Sequence, residues 1–107
     1  MTDEQKSICH KIADHYGEEH QMLKAVEEMA ELTQVLIKAM NDPPKTQSDA
    51  DRLKVNLLGE LADVMILIEQ IVKYIADSRC VDLLNDEIEA KLNRQLKRME
   101  DENDDRI

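Results

Sequence analysis

Two pairs of carboxylates are the residues of this chain whose type and spacing best suit chemistry. Glu28 and Glu31 lie three positions apart in AVEEMAEL, and Glu60 and Asp63 have the same spacing in ELADVMIL. On an α-helix, side chains three positions apart project from the same side, so each pair predicts an acidic face. The second pair interrupts an apolar stretch, where burying an unpartnered ionised carboxylate costs several kcal/mol. That cost predicts a bound cation or a wet cleft at this point.

The two acidic faces predict one shared site if their helices pack antiparallel. Hard divalent cations such as Mg²⁺ and Mn²⁺ prefer all-oxygen surroundings, which four carboxylates around one space supply. The predicted metal ligands are Glu28, Glu31, Glu60 and Asp63. The alternative is a set of helix-surface ion pairs with Lys24 and Lys38. That alternative explains the first pair, but the second pair has no cation three or four positions away on its own helix.

The stretch 57–72, LLGELADVMILIEQIV, predicts the central helix of a bundle because its apolar residues surround the whole circumference. In a chain of 107 residues, such a helix also predicts that a second subunit covers part of its surface. We therefore expect a homo-oligomer. Gly59 lies inside this helix at a cost of about 1 kcal/mol relative to Ala. That cost predicts another backbone or a ligand close to this glycine.

The pattern along the chain predicts four helices and no strands. The predicted helices are 2–16, 20–41, 50–78 and 81–99. The Pro43-Pro44 pair ends the second helix, and a turn is expected at 77–80. The fold class is therefore all-α, a four-helix bundle. One domain covers 1–99, and the acidic residues 100–107 form a disordered tail.

Capping and packing residues follow from the same pattern. Thr2 or Asp3 is the expected N-cap of the first helix, and Gly17 is its expected stop. The third helix is expected to be capped by Ser48 or Asp49. The expected inward residues are Ile8, Ile12, Cys9 and Ala13 on the first helix and Leu83, Leu84, Ile88, Leu92 and Leu96 on the fourth.

The charge of the chain excludes some partners. Lys and Arg number 14 against 24 Asp and Glu, so the formal net charge is −10. Such a field repels nucleic acid and anionic membranes, and neither is an expected partner. No apolar stretch is long enough to span a bilayer, and the first residues lack the pattern of a signal peptide. We expect a cytoplasmic protein in which Cys9 and Cys80 are buried, reduced thiols.

The two acidic motifs resemble a known family. EEMAEL at 27–32 followed by ELADV at 60–64 is similar to the paired E-x-x-E and E-x-x-D motifs of the MazG-like, all-α nucleoside triphosphate pyrophosphohydrolases. The resemblance extends over most of the chain. It includes HYG at 15–17, Gln21, the Glu69-Gln70 pair and the pattern Lys91-x-x-Arg94-x-x-x-Arg98.

The resemblance implies a MazG-type fold and hydrolysis of a nucleoside triphosphate to a monophosphate and pyrophosphate with Mg²⁺ or Mn²⁺. The four carboxylates correspond to the metal ligands, and Glu27 corresponds to a carboxylate that activates water. The implied substrate-binding residues are Gln21, Lys38, Lys91 and Arg94. Members of the family are usually dimers or tetramers, which implies a homodimer or homotetramer here.

Two departures from the family pattern carry expectations of their own. Many members have an acidic residue where Gly59 stands, which implies fewer metal ions in this chain. Many also offer aromatic residues to the base, whereas this chain has only Tyr16 and Tyr74, which implies weaker base recognition.

Two other functions stay open at this point. A non-catalytic helical module for nucleotide sensing or partner binding predicts no pyrophosphate release with any nucleotide. A related hydrolase of histidine synthesis predicts turnover of phosphoribosyl-ATP alone.

Overall fold

Four α-helices with short connections make up the part of the chain that the structure describes. The computed structural model describes residues 1–75 and 78–105. Its helices are α1 (Asp3–Tyr16), α2 (Glu18–Asn41), α3 (Gln47–Ile75) and α4 (Ser78–Asp105). No strand occurs in these two ranges, so the predicted all-α class is confirmed. Residues 1–74 form one compact unit, and α4 belongs to a second unit.

The start and end of α1 are set by local hydrogen bonds. Thr2 Oγ1 accepts from the Gln5 N–H at 3.1 Å, and Gln5 Oε1 accepts from the Thr2 N–H at 2.8 Å, which is a capping box. Gly17 ends the helix with a φ of +89°, a conformation that only glycine adopts at low cost. The predictions of Thr2 as the N-cap and Gly17 as the stop are therefore confirmed.

Other predicted boundaries are wrong by a few residues. Helix α2 begins at Glu18 rather than at residue 20. Helix α3 begins at Gln47, because Thr46 rather than Ser48 or Asp49 is its cap, and Thr46 Oγ1 accepts from the Asp49 N–H at 3.1 Å. Thr46 is the first residue after the proline pair whose side chain can cap a helix, so the helix starts there.

The fourth helix is longer than predicted at both ends. Ser78–Cys80 form its first turn instead of a loop, whereas residue 77 of the predicted turn lies outside the described residues. The helix continues beyond residue 99 to Asp105, because no glycine or proline interrupts it. Residues 100–105 of the predicted disordered tail are therefore helical, and 106–107 lie outside the described residues.

Helices α2 and α3 pack antiparallel, which is the condition for a shared acidic site. Gln21 Nε2 donates to Gln70 Oε1 at 2.7 Å, and Glu28 lies beside Glu60 and Asp63. Positions rise along α2 while their partners fall along α3. Gln21 and Glu28 are seven positions apart on α2, and Gln70 and Asp63 are seven positions apart on α3. On both helices, seven positions correspond to two turns along the same face.

Helix α1 runs parallel to α3. The Cys9 carbonyl accepts from Gln70 Nε2 at 3.2 Å, and the Ala13 carbonyl accepts from the Tyr74 hydroxyl at 2.7 Å. Cys9 and Ala13 are buried as predicted, but Ile8 and Ile12 are exposed, so their predicted inward orientation is wrong. Cys9 and Ala13 face α3. Because their side chains are small, the polar groups of Gln70 and Tyr74 reach the α1 backbone.

Much of the apolar surface of α3 is exposed. Its buried residues are Val64, Leu67 and Gln70, whereas Leu58 and Met65 are 63% and 55% exposed. The single chain therefore covers only part of the circumference of α3, and its cover by a second subunit stays a prediction. The predicted packing residues of α4 are also exposed: Leu83, Leu84, Ile88, Leu92 and Leu96. None of the described helices is long and apolar enough to cross a membrane.

The two glycines should respond oppositely to substitution by alanine. A Cβ at Gly59 has nothing within 4 Å among the described residues, so no other helix of the chain approaches closely there, and the approach of a ligand or a second subunit stays a prediction. We expect Gly59→Ala to raise the free energy of unfolding by about 1 kcal/mol through helix propensity. Gly17→Ala should lower the free energy of unfolding by about 1–3 kcal/mol because of its backbone conformation.

Urea unfolding of both variants beside the wild type measures these changes. Destabilisation by Gly59→Ala contradicts the open space around this residue and indicates that a subunit or a ligand packs there.

Candidate metal centre

Three of the four predicted metal ligands meet between α2 and α3. One carboxylate oxygen each from Glu28, Glu60 and Asp63 lies within 4.8 Å of the other two. Glu28 is buried, Glu60 is half-buried and Asp63 is exposed. The cluster therefore runs from the helix interface to the surface, and an ion or substrate can approach it from the Asp63 side.

One oxygen of each of the two inner carboxylates lacks a partner. Glu28 Oε2 and Glu60 Oε2 are buried and have no hydrogen-bond partner among the described residues. Burying an acceptor without a partner costs free energy, and the cost is larger for a charged group. An all-oxygen donor set with two unpaired buried oxygens fits the coordination preferences of Mg²⁺ or Mn²⁺.

The fourth predicted ligand, Glu31, lies next to this cluster. A hydrogen bond with Glu28 raises the pKa of Glu31, and the charge of Glu28 acts in the same direction. Burial and the charges of Glu60 and Glu27 add smaller effects of the same sign. The carboxylates of both helices therefore disfavour the ionised form of Glu31, and a cation among them would remove this repulsion.

Lys24 partly compensates the cluster. Its Nζ lies 3.4 Å from Glu28 Oε1 and 3.5 Å from Glu27 Oε2. The hydrogen bond with Glu28, followed by the charge of Glu27, raises the pKa of Lys24. The pairs are exposed on the lysine side, so their contribution to stability is small. Among the described residues, no ion pair reaches Glu60 or Asp63, so ion pairing explains only part of the cluster.

The predicted catalytic residue, Glu27, precedes Glu28 on α2. Its side chain is exposed and contacts Lys24, and it projects about 100° around the helix from Glu28. It is therefore near the cluster without being part of it. Its role in activating water stays a prediction.

The predicted lysine and arginine contacts to substrate lie in two places. Lys38 lines a cavity of about 350 Å³ formed by the end of α2, the connection and the start of α3. Lys91 and Arg94 share one side of α4, where they line a shallow cleft of about 200 Å³ with Gln95 and Arg98. The role of this basic side of α4 in substrate binding stays a prediction.

Gln21, another predicted substrate contact, is engaged inside the protein. Its amide donates to Gln70, and its Oε1 lies 2.6 Å from His20 Nδ1. Gln21 and Gln70 are 5% and 1% exposed. The structural importance of Gln70 was not predicted from the sequence. The feature that indicates it is a glutamine within an apolar helix, seven positions after Asp63.

The two cysteines differ in burial. Cys9 is buried as predicted, and burial, followed by the charge of Glu69, raises the pKa of its thiol. The thiol is therefore protonated and poorly reactive at neutral pH. Cys80 is only half-buried.

Comparisons with known proteins do not show a family for this chain. No family model matches this chain, and no curated protein and no solved structure matches it either. The resemblance to the MazG-like family therefore rests on the motifs and on the meeting of their carboxylates.

The raised pKa of Glu31 predicts a pH-dependent stability. A raised pKa means that the folded protein binds this proton more tightly than the unfolded chain does. Without divalent cations, the free energy of unfolding should fall as the pH rises from 4.5, the ordinary value, through the raised pKa. Adding Mg²⁺ should reduce this fall because the cation replaces the proton.

Thermal unfolding between about pH 4 and 8, with EDTA or with Mg²⁺, measures the effect. Glu31→Gln should flatten the profile relative to the wild type. Glu19→Gln, more than two turns before Glu28 on the same helix, should leave it unchanged. Identical profiles for the wild type and Glu31→Gln contradict the coupling of these carboxylates.

Proposed function

We propose that this protein is a nucleoside triphosphate pyrophosphohydrolase of the MazG type. It hydrolyses the bond between the α and β phosphates of an NTP or dNTP to a monophosphate and pyrophosphate, using Mg²⁺ or Mn²⁺. The observation that carries the proposal is the meeting of Glu28, Glu60 and Asp63, of which Glu28 and Glu60 each have one buried oxygen without a partner among the described residues. Helix surfaces often carry acidic residues, but a structural role does not explain why these residues turn toward one another.

The cation-binding residues in this proposal are Glu28, Glu31, Glu60 and Asp63. When bound, the cation offsets charge on the phosphates and so favours attack at phosphorus. A cation held by these carboxylates also offsets charge repulsion, because a chain of net charge −10 repels a polyanionic substrate. Attraction must therefore be local, at a position where the protein concentrates positive charge.

Glu27 acts as the general base in the proposed reaction. Its carboxylate is exposed beside the cluster, so it can accept the proton of the attacking water without leaving the helix face. Lys24 contacts both Glu27 and Glu28 and therefore orients the base relative to the cluster. Gln21 is not assigned to the substrate, because its amide is used in the helix interface.

Lys91 and Arg94 bind phosphate oxygens in this proposal. They lie on one side of α4 with Arg98, and a guanidinium binds two phosphate oxygens at once. Alanine at either residue should mainly raise KM for a triphosphate. Unchanged kinetics would indicate that these residues form a solvated helix face and do not contact the substrate.

A homo-oligomer of two or four chains in the cytoplasm completes the proposal. The support is the apolar surface that one chain leaves exposed on α3, including Leu58 and Met65. Light scattering on the purified protein measures the mass. A monomer at micromolar concentration contradicts this part of the proposal and leaves the metal centre untouched.

The decisive experiment measures pyrophosphate and orthophosphate separately for a panel of NTPs and dNTPs. We expect pyrophosphate with Mg²⁺, and at least about a 100-fold loss of kcat in Glu60→Gln. Mg²⁺ should raise Tm of the wild type, and Glu60→Gln should abolish this rise. The Glu19→Gln variant is the control for a change of charge on a surface helix.

The outcomes separate the remaining functions. A Tm response without pyrophosphate from any nucleotide supports a non-catalytic nucleotide-sensing or partner-binding module. Turnover of phosphoribosyl-ATP alone supports the related hydrolase. An unchanged Tm response in Glu60→Gln rules out the metal centre itself.

A further inference from the structure

We infer that the cavity between the end of α2 and the start of α3 binds the base and sugar of the nucleotide. This cavity has a volume of about 350 Å³, which lies at the small end of sites for small molecules. The inference rests on the proposed function, since it places the uncharged part of the same substrate. It goes further in assigning a recognition site and in setting the direction in which the nucleotide lies.

The cavity begins one helical turn from the carboxylates. Val35 lines it and follows Glu31 by four positions, while Asn56 lines it and precedes Glu60 by four positions. Four positions correspond to about 6 Å along a helix. A nucleotide with its phosphates at the carboxylates can therefore reach the cavity with its sugar and base.

The opposite end of the same helix pair is closed. Gln21 and Gln70 are buried and hydrogen bonded to each other two turns from Glu28 and Asp63. Their side chains occupy the space between the helices at that layer. A substrate held at the carboxylates by its phosphates therefore has its open path along the helix pair toward the cavity.

The lining of the cavity combines apolar walls with polar groups. Val35, Ala39 and Leu53 supply apolar surface together with the two prolines of the connection. Equal numbers of lysines and aspartates also line it: Lys38, Lys45, Asp42 and Asp49. A phosphate site needs an excess of positive charge, whereas a base and sugar need apolar walls and a few polar groups. The Asn56 amide offers one donor group and one acceptor to the edge of a base.

The walls of the cavity are preformed. Pro43 and Pro44 fix the backbone of the connection, and Thr46 caps α3 directly after it. Asp49 is held by Arg52, whose Nη2 lies 3.4 Å from Asp49 Oδ1. None of the residues lining the cavity is aromatic, so the base is not stacked. We therefore expect similar affinity for different bases, with differences of less than about tenfold.

Amide NMR spectra of the full-length, ¹⁵N-labelled protein with Mg²⁺ test this site directly. The probes are the four ribonucleoside 5′-monophosphates, the uncharged nucleosides and inorganic pyrophosphate. Monophosphates and nucleosides should shift the amides of Val35, Ala39 and Asn56. Pyrophosphate should shift amides near Glu28 and Glu60 and leave the cavity unchanged.

A variant that fills the cavity tests the same site, and a matched variant at the next residue is its control. Ala39→Trp should weaken monophosphate binding at least tenfold and raise KM for triphosphates by a similar factor. Met40→Trp, at the next residue, is exposed and does not line the cavity, so it should bind as the wild type does. The rise in Tm with Mg²⁺ should persist in both variants, which shows that the fold and the carboxylates are intact. Asn56→Leu replaces Ala39→Trp if the latter does not fold.

The outcomes distinguish this inference from the proposed function. Helices α1 and α3 also form an apolar groove, which Ile8 and Met65 line. A normal KM in Ala39→Trp, or monophosphate shifts confined to this groove, overturns the inference while hydrolysis stands. Pyrophosphate shifts in the cavity overturn it as well, because they make the cavity a phosphate site. Nucleoside shifts in the cavity without hydrolysis of any triphosphate support the inference and overturn the proposed reaction.

Discussion

The buried hydrogen bond between Gln21 and Gln70 sets the position of α2 along α3. Gln70 also donates to the Cys9 carbonyl, so the same side chain joins α1, α2 and α3. Leaving a buried amide without its partners costs about 1–3 kcal/mol, and a shift of one turn breaks these contacts together. The helices therefore have one favoured register, and the layer two turns along contains Glu28 and Asp63.

This register forces carboxylates together at a cost that the rest of the fold must offset. Lys24 supplies one positive charge to Glu28, and Glu31 responds by holding its proton more tightly. Neither response reaches the buried oxygen of Glu60, which has no partner among the described residues. The destabilisation is local, whereas the offsetting contacts lie elsewhere, in the glutamine layer and in the capped α1. A cation at the carboxylates removes the repulsion where it arises.

The sequence predicted the features that depend on a few neighbouring residues. The spacing within each helix predicted one acidic face on α2 and one on α3, and the two faces meet because the helices pack antiparallel. The Thr2 cap and the Gly17 stop are local in the same way. Features that depend on competition between neighbours were not predictable. Thr46, Ser48 and Asp49 can all cap a helix, and the choice among them is decided by a difference of less than about 2 kcal/mol.

Packing faces were harder to predict because one residue of rotation changes them. The choice between Ile8 with Ile12 and Cys9 with Ala13 turned on what faces α1, and the carbonyls of the smaller residues accept from Gln70 and Tyr74. Hydrophobicity alone favoured the isoleucines. The partners on α3 lie about sixty positions later in the chain, so the pattern within α1 does not reveal them. The length of α4 was also underestimated, because an acidic composition indicated disorder while the absence of glycine and proline allowed the helix to continue.

The order of layers along α2 and α3 matches the two chemical parts of a nucleotide. A buried amide layer comes first, then the carboxylates, and then the cavity that Lys38 and Asn56 line. In the proposed function, a cation at the carboxylate layer binds the phosphates, and the cavity one turn further along receives the base and sugar. Since the buried glutamines occupy the layer on the other side, this arrangement gives the nucleotide one orientation. Two helices and their connection would then define both where a triphosphate binds and which way it points.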